Sequence, residues 1–477
     1  MRIVHVASEA VPFSKTGGLA DVAGALPAAL AARGHQVALI VPCHRPVPGA
    51  PPPGEPSGPP VETAGGFRFT VRRTVRDGVA VLLLDAPRLF ARPAPYGTSD
   101  GDYPDNAIRF AAFCRAAVLA AARELPGADV LHLHDWQAAP AAALLGTDPS
   151  LGATFEGTPT VLTIHNLAYQ GSFDPWVMQA AEIPWGLYQP EGLEFWGRVN
   201  FLKGGILAAT ALTTVSPTYA REILGAEHGH GLHEVLAARR GVLTGILNGL
   251  DTATWNPAED PHLPERYGAA TVTRGKRRAR RAVAREMGLD EDGSPLIGVV
   301  SRLVRQKGSD LLAAAVPGLV ALGYRLAVLG SGEAAIEREL AEAVARHPGR
   351  AALRTAFDDP LAHRIYAGSD LFLMPSRFEP CGLGQLIALR YGALPVVNPT
   401  GGLADTVRDV YADPAAGNGI LISRLDAGGI VEAAARALSV LEDAETLLGL
   451  RRRAMAEDHG WAPAAARYEA LYRSLRG

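Results

Sequence analysis

Asn248-Gly249-Leu250-Asp251-Thr252-Ala253-Thr254-Trp255-Asn256-Pro257 is where a repeating pattern in the chain stops and then begins again. Upstream, short apolar runs at 3–7, 37–41, 79–84, 130–134, 160–165 and 212–215 are each followed by a Gly or polar turn and an Ala/Leu-rich segment with helical spacing. Downstream the alternation resumes at 297–301, 326–329, 353–355, 371–374, 395–398 and 420–422. Strands that alternate with helices argue for parallel sheets, because parallel neighbours need a crossover and cannot be joined by a tight turn. The restart therefore predicts an α/β chain of two similar doubly wound domains. Its 477 residues agree, since a single core stops growing at about 250–300 residues.

Composition narrows the function classes. Hydrophobic residues make up 48% and charged residues 20%, which suits a globular protein and excludes a disordered chain or a fibre. The formal charge of −3, from 46 basic and 49 acidic residues, gives no overall field for nucleic acid or an anionic membrane, so neither is expected as a partner and any anion must be bound locally. Cys43, Cys114 and Cys381 are an odd number without C-x-x-C spacing, which points to a reducing compartment rather than a disulfide framework or a structural zinc site. The N-terminus has no signal-like apolar run, and no later stretch reaches the roughly 18 apolar residues of a membrane span. A soluble, cytoplasmic protein is the expectation.

Two segments of biased composition need a reading. Residues 46–60 hold eight prolines and three glycines and are expected to form a surface loop that neither pairs nor coils. Residues 274–285 hold seven basic side chains and read as the solvated face of a helix rather than a nucleic-acid patch. The chain shows no repeat of about 20–50 residues.

Three loops carry candidate chemistry. Lys15-Thr16-Gly17-Gly18-Leu19-Ala20-Asp21-Val22 follows the first strand and opens a helix. Paired glycines there would leave N–H groups open to a phosphate, with Lys15 adding a full charge, or the segment is a tight turn with a solvent lysine. Ser301-Arg302-Leu303-Val304-Arg305-Gln306-Lys307-Gly308 follows the first strand of the second half. Arg302 and Lys307 would aim at one anion only from an irregular loop, and are otherwise a surface pair. In Arg377-Phe378-Glu379-Pro380-Cys381-Gly382-Leu383-Gly384, Pro380 blocks helix at Glu379. Its carboxylate is expected to project at a strand's C-terminal end, where doubly wound sheets bind ligands. Thr400-Gly401-Gly402-Leu403-Ala404-Asp405 echoes the first loop.

Weaker signals lie elsewhere. His132 and His134 share a strand face and could hold a metal, although no further ligand is visible. His165-Asn166 ends another strand. Tyr96 could stack on a base or cover the core. Asp100-Gly101-Asp102 and Asp290-Glu291-Asp292 have metal-like spacing in turn-rich segments. No P-loop lysine motif and no G-x-S-x-G elbow occurs. Gly330-Ser331-Gly332-Glu333-Ala334-Ala335 matches a dinucleotide fingerprint and leaves an oxidoreductase as a rival reading.

Taken in order, Lys15–Val22, His132–Trp136, His165–Gly171, Ser216–Glu222, Asn248–Asp251, Ser301–Gly308, Ser376–Leu383 and Thr400–Val407 resemble the blocks of the bacterial glycogen synthase family. These are ADP-glucose-dependent glucosyltransferases related to plant starch synthases. The resemblance implies the GT-B type of fold, with two Rossmann-like domains facing across a cleft and a C-terminal helix crossing back. The domains are expected at 1–247 (acceptor side), 248–455 (sugar nucleotide) and 456–477 (the helix). The implied reaction extends an α-1,4-glucan at its non-reducing end with glucose from ADP-glucose, with retention and without a metal or other cofactor.

The resemblance also implies roles. Arg302 and Lys307 would neutralise the leaving diphosphate, helped by Lys15 and by N–H groups of the loop with Gly18. His165 would lie against the transferred glucose with its backbone carbonyl toward the developing positive charge, and Glu379 would hold sugar hydroxyls. Asp21 and Asp135 match positions at the sugar and acceptor side, and Asn166 and Asn248 further sugar contacts. Cys381, Gly382, Leu383 and Gly384 belong to the donor-binding turn, and Tyr96 is carried as a further substrate contact. Gln137 stands where the family often has His, and Gly384 where it often has Thr. Phe357 replaces the usual tyrosine over the base, keeping the stacking face and losing the phenol.

Overall fold

The structure is a computed structural model that describes residues 1–45, 52–63, 65–98 and 101–476. The chain divides into two compact units, one of Met1–Gly249 with the residues from Trp461 onward, the other of Leu250–Gly460. The division falls at the restart of the pattern: Leu250 donates its N–H to the His459 carbonyl at 2.7 Å, and Leu250 and Gly460 pair as a parallel bridge.

The first unit is built on β1 (Arg2–Val6), β2 (Gln36–Pro42), β3 (Arg68–Arg76), β4 (Val79–Asp85), β5 (Val130–His134), β6 (Thr160–Ile164), β7 (Ala211–Thr214) and β8 (Leu243–Gly245). Their order across the sheet is β8-β7-β6-β5-β1-β2-β4-β3. All pairings are parallel except β4 with β3, which is antiparallel. The central strands are buried on both faces, as parallel strands covered by helices must be, so they read as unbroken apolar runs. The final helix, Trp461–Ser474, packs on helix Gly18–Ala31. Tyr468 and Tyr472 join Val22, Leu26 and Leu30 in one core.

The second unit contains β9 (Leu296–Val300), β10 (Arg325–Leu329), β11 (Ala351–Arg354), β12 (Leu371–Met374), β13 (Leu394–Val397) and β14 (Ile420–Leu421). They are ordered β11-β10-β9-β12-β13-β14, all parallel. In each sheet the order reverses beside the first strand, between β1 and β5 and between β9 and β12. At such switch points neighbouring loops leave in opposite directions and open a crevice at the strands' C-terminal ends.

Two local expectations are corrected. The Pro-rich segment does pair in part: Glu55–Pro56 forms an antiparallel edge against Arg72 and Arg73, a place where Pro is tolerated because it need not donate inward. Residues 46–51 of that segment lie outside the described residues, and so does Asp100 of the Asp100-Gly101-Asp102 pattern. The basic helix is not solvated throughout. In Val272–Met287, Lys276 is buried and donates to the carbonyls of Ala367 and Tyr391 at 3.0 Å, while Arg280 pairs with buried Asp370. Asp292 and Glu291 are engaged with Arg350 and Arg285 at 2.6 and 2.9 Å.

Candidate active site

At the end of β1 the chain turns through Ser8 and Glu9 toward helix Gly18–Ala31. Glu9, only 2% exposed, accepts from the Thr16 backbone N–H at 2.6 Å and from the Thr16 hydroxyl. Burial, only partly offset by these bonds, pushes its carboxyl up to about 7. A Cβ on Gly17 or Gly18 would meet nothing within 4 Å, so the helix mouth is open space where a ligand could reach backbone N–H groups. Lys15 pairs with Asp21 at 2.7 Å in an exposed ion pair. Tyr96 packs on Phe110 and shares a hydrogen bond of 2.7 Å with Ser8.

Asp135 follows β5 with φ of 57°. Its buried carboxylate accepts the backbone N–H of His165 at 2.7 Å and is bonded by that of Asn166, so one side chain fixes the turn after β6. Burial pushes this carboxyl to about 7 as well. The His165 ring continues inward: its Nε2 lies 3.0 Å from His134 Nδ1, and His134 Nε2 lies 3.1 Å from His5 Nδ1. Burial lowers His5 and His165 to about 3 and carries His134 and His132 well below the usual range, so the imidazoles are neutral. His132, expected as a metal candidate, uses both nitrogens, on Tyr472 and Thr163, at 2.7 and 2.6 Å.

In the second unit the loops after β9 and β12 meet. Lys307 Nζ lies 2.5 Å from Glu379 Oε2, with side chains 19% and 6% exposed, and the Ser376 hydroxyl donates to the same oxygen at 3.1 Å. Charge burial is tolerated here because the carboxylate has a cation and a hydroxyl on it. The loop after β13 closes under this turn. A Cβ on Gly401, whose φ is 47°, would lie 1.9 Å from the Glu379 carbonyl oxygen, so only glycine lets the two loops touch. Gln385 braces the turn from behind, donating to the carbonyls of Cys381 and Gly382 at 3.1 and 3.0 Å.

The remaining candidates are spread around these edges. Arg302 is exposed on the loop with Lys307, and Phe357, after β11, is 84% exposed, an unusual state for a large ring. Cys381 is buried, and Gly382, Leu383 and Gly384 are half-buried. Asn248, at the end of the first unit, has a buried Oδ1 without a hydrogen-bond partner. The dinucleotide-like glycines have another use: Cβ atoms on Gly330 and Gly332 would lie 1.8 and 2.2 Å from the carbonyl oxygens of Ser301 and Leu303, so that space is taken by backbone. Sequence reading gave no role to Glu9, Ser376 or His5. Ser376 lay inside the Ser376–Leu383 block, whereas His5 meets His132 only through the pairing of β1 with β5.

Comparison with known proteins matches this framework. Residues 2–238 fit the starch synthase catalytic domain family and residues 294–440 the glycosyl transferases group 1 family. A glycogen synthase of Anaeromyxobacter dehalogenans (strain 2CP-1) is 48% identical over 479 residues, covering 100% of this chain and 99% of the relative. The chain belongs to the glycogen synthase family. Another member, glycogen synthase 2 of Geobacter metallireducens, is 43% identical with 99% of both chains covered. Among solved structures, the catalytic domain of starch synthase IV from Arabidopsis thaliana, bound to ADP and acarbose, superposes with a TM-score of 0.90 at 33% identity, covering 100% and 99% of the two chains. The fold is thus that of the GT-B glycosyltransferases, and the chain is a glucan-synthesising glycosyltransferase of this family. Among the described residues, no helix is long and apolar enough to cross a membrane.

Proposed function

We propose that the protein transfers glucose from ADP-glucose to the non-reducing end of an α-1,4-glucan with retention at the anomeric carbon. The observation that carries this reading is the Lys307–Glu379 pair at the switch point of the second sheet. It is supported by the ADP and acarbose held by the Arabidopsis neighbour.

In this reading Lys307 and Arg302 meet the charge that grows on the departing diphosphate, with Lys15 and the open N–H groups at Gly17–Gly18 as further donors. Fixed cations in a partly dehydrated turn lower the barrier because they need no reorganisation as the bond breaks. Glu379 holds sugar hydroxyls, and its contacts tighten as the ring flattens. The backbone N–H of Asn166 is tied to Asp135, which sets the peptide whose carbonyl, that of His165, would face the developing positive charge. Asp21, Asp135, Asn166 and Asn248 complete the sugar and acceptor contacts, Gly382–Gly384 the donor turn, and the exposed Phe357 ring offers a stacking face to the base. Tyr96, held by Ser8, is a further substrate contact. Retention proceeds by attack on the face that ADP leaves, the departing phosphate oxygen taking the proton of the acceptor hydroxyl. Charge on the leaving group is met by side chains, so transfer needs no metal, and the protein acts in the cytoplasm.

Incubation with glycogen and either labelled ADP-glucose or labelled UDP-glucose tests this. The expected result is α-1,4-linked extension, at least about tenfold faster in kcat/KM with ADP-glucose, and unchanged by EDTA. No incorporation, an inverted linkage, or loss of activity with EDTA would overturn the corresponding part.

A further inference from the structure

Away from these loops, in the second unit, three side chains converge without serving the transfer reaction. Helix Asp359–Gly368 carries Asp359 and His363 one turn apart on the same face, and His262 comes from the loop after Pro257. Their ligand atoms all lie within 4.8 Å of one another. His363 is 2% exposed, yet among the described residues its Nε2 has no hydrogen-bond partner; a carboxylate oxygen of Asp359 is 3.8 Å away.

The opposite side of this imidazole is tightly held. His363 Nδ1 lies 2.7 Å from Asp260 Oδ2, which also accepts from the Tyr391 hydroxyl at 2.6 Å. The other Asp260 oxygen accepts the His262 backbone N–H at 2.8 Å. Asp260 is itself buried. With Nδ1 occupied by the Asp260 carboxylate, Nε2 is the ring nitrogen left on the side of His262 and Asp359. Trp255 stacks on the ring at 4.0 Å and an interplanar angle of 12°, fixing its plane. A carboxylate behind a histidine whose far nitrogen is unpaired is the usual support of a metal-ligating imidazole. One carboxylate here holds the His363 ring and the backbone of His262.

We propose that His363, His262 and Asp359 form a zinc(II)-binding site with an open fourth position. Two imidazoles and one carboxylate are a donor set suited to this borderline ion. Tetrahedral ligands at about 2.0–2.1 Å from zinc stand about 3.3 Å apart. The 3.8 Å between His363 and Asp359 closes to that with a small rotation of the Asp359 side chain, which is 56% exposed and gives the ion its entry path. The site shares no residue with the proposed transfer machinery.

The test is titration of the whole, chelator-stripped chain with zinc chloride by calorimetry, with no sugar nucleotide or glucan present, so that its result is independent of the transfer reading. One equivalent should bind with a Kd below about 10 µM. His262→Ala and Asp359→Asn, both at accessible positions, should each weaken binding at least tenfold while the thermal transition of the apo chain stays within about 2 °C. Cobalt(II) in place of zinc should give the intense visible absorption of a four-coordinate ion. No binding up to 1 mM zinc, binding unchanged in both variants, or a weak six-coordinate cobalt spectrum would overturn the proposal.

Discussion

Glu9 and Asp135, at the edge of the first sheet, are buried against amide and hydroxyl donors, whereas Glu379, at the edge of the second, is buried against a lysine. In the first unit burial dominates, and both carboxyls rise to about 7 beside imidazoles held neutral. In the second unit cations win even at the far end of the sheet: Asp370, just before β12, is fully dehydrated, which would raise it, but Arg280 and Arg451 hold it below the usual range. An edge lined by neutral or protonated groups suits uncharged sugar hydroxyls. An edge where a lysine already compensates a carboxylate suits a phosphate that can replace that carboxylate.

The sharpest way to break this comparison is Glu379→Gln. The amide keeps the shape but loses the charge opposite Lys307, and kcat should fall by about 10³, or about 4 kcal/mol of transition-state stabilisation, with the circular dichroism spectrum unchanged. Wild-type turnover would remove the carboxylate from the chemistry. Lys307→Ala should lower kcat/KM for ADP-glucose by about 10²–10³ and also destabilise the fold by about 1–3 kcal/mol, because a buried carboxylate loses its cation. Urea titration of the Lys307→Ala/Glu379→Gln double variant should recover that stability while turnover stays lost. A double variant no more stable than the single one would show that the pair is not what makes burial tolerable.

The next effect sets the first edge apart by pH. Glu9 changes from an ordinary carboxyl when unfolded to about 7 when folded, so between about pH 4.5 and 7 the folded chain holds a proton that the unfolded chain has released. Stability from this group therefore falls as pH rises through that window. The shift corresponds to at most about 3 kcal/mol at about 1.4 kcal/mol per pH unit. Glu9→Gln should be more stable than wild type at pH 8 by up to that amount, with the gap closing near pH 5. A gap independent of pH would mean that Glu9 is ionised in the folded chain. Asp370 has the opposite sign: held low when folded, it contributes stability above its unfolded range that is lost on acidification.

Where the physics is local, the sequence shows it. The twelve apolar runs all fall on strands of the two sheets, and the central ones are buried on both faces, which leaves no room for polar alternation; Pro380 and the glycines after it marked the Glu379 turn by their own backbone limits. Strand β3 was invisible for the converse reason: beyond Phe69 and Val71 its four arginines and the 59% exposed Val75 face outward, and antiparallel neighbours on both sides supply the order. Lys276 was misread because helical periodicity cannot tell that one cation of seven reaches the carbonyls of Ala367 and Tyr391. Glu9, His5 and the Asp260–His363 pair needed the register between distant strands or loops, which no single segment encodes.

The smallest expected effect separates two lysines that the sequence presents alike. Lys15 and Lys307 each follow the first strand of a unit, and each forms an ion pair with a carboxylate, at 2.7 and 2.5 Å. Their surroundings differ: Lys15 and Asp21 are 42% and 32% exposed, so water and salt screen the pair, and holding two mobile side chains together offsets most of the attraction. Lys15→Ala should change stability by less than about 0.5 kcal/mol in urea titration, independent of salt above about 0.15 M, where Lys307→Ala costs several times more. Its catalytic effect should be confined to the donor, raising KM for ADP-glucose several-fold with kcat lowered less than about tenfold. A stability loss as large as that of Lys307→Ala would mean that burial is not what distinguishes the two edges, because the exposed pair would then be contributing as much as the buried one.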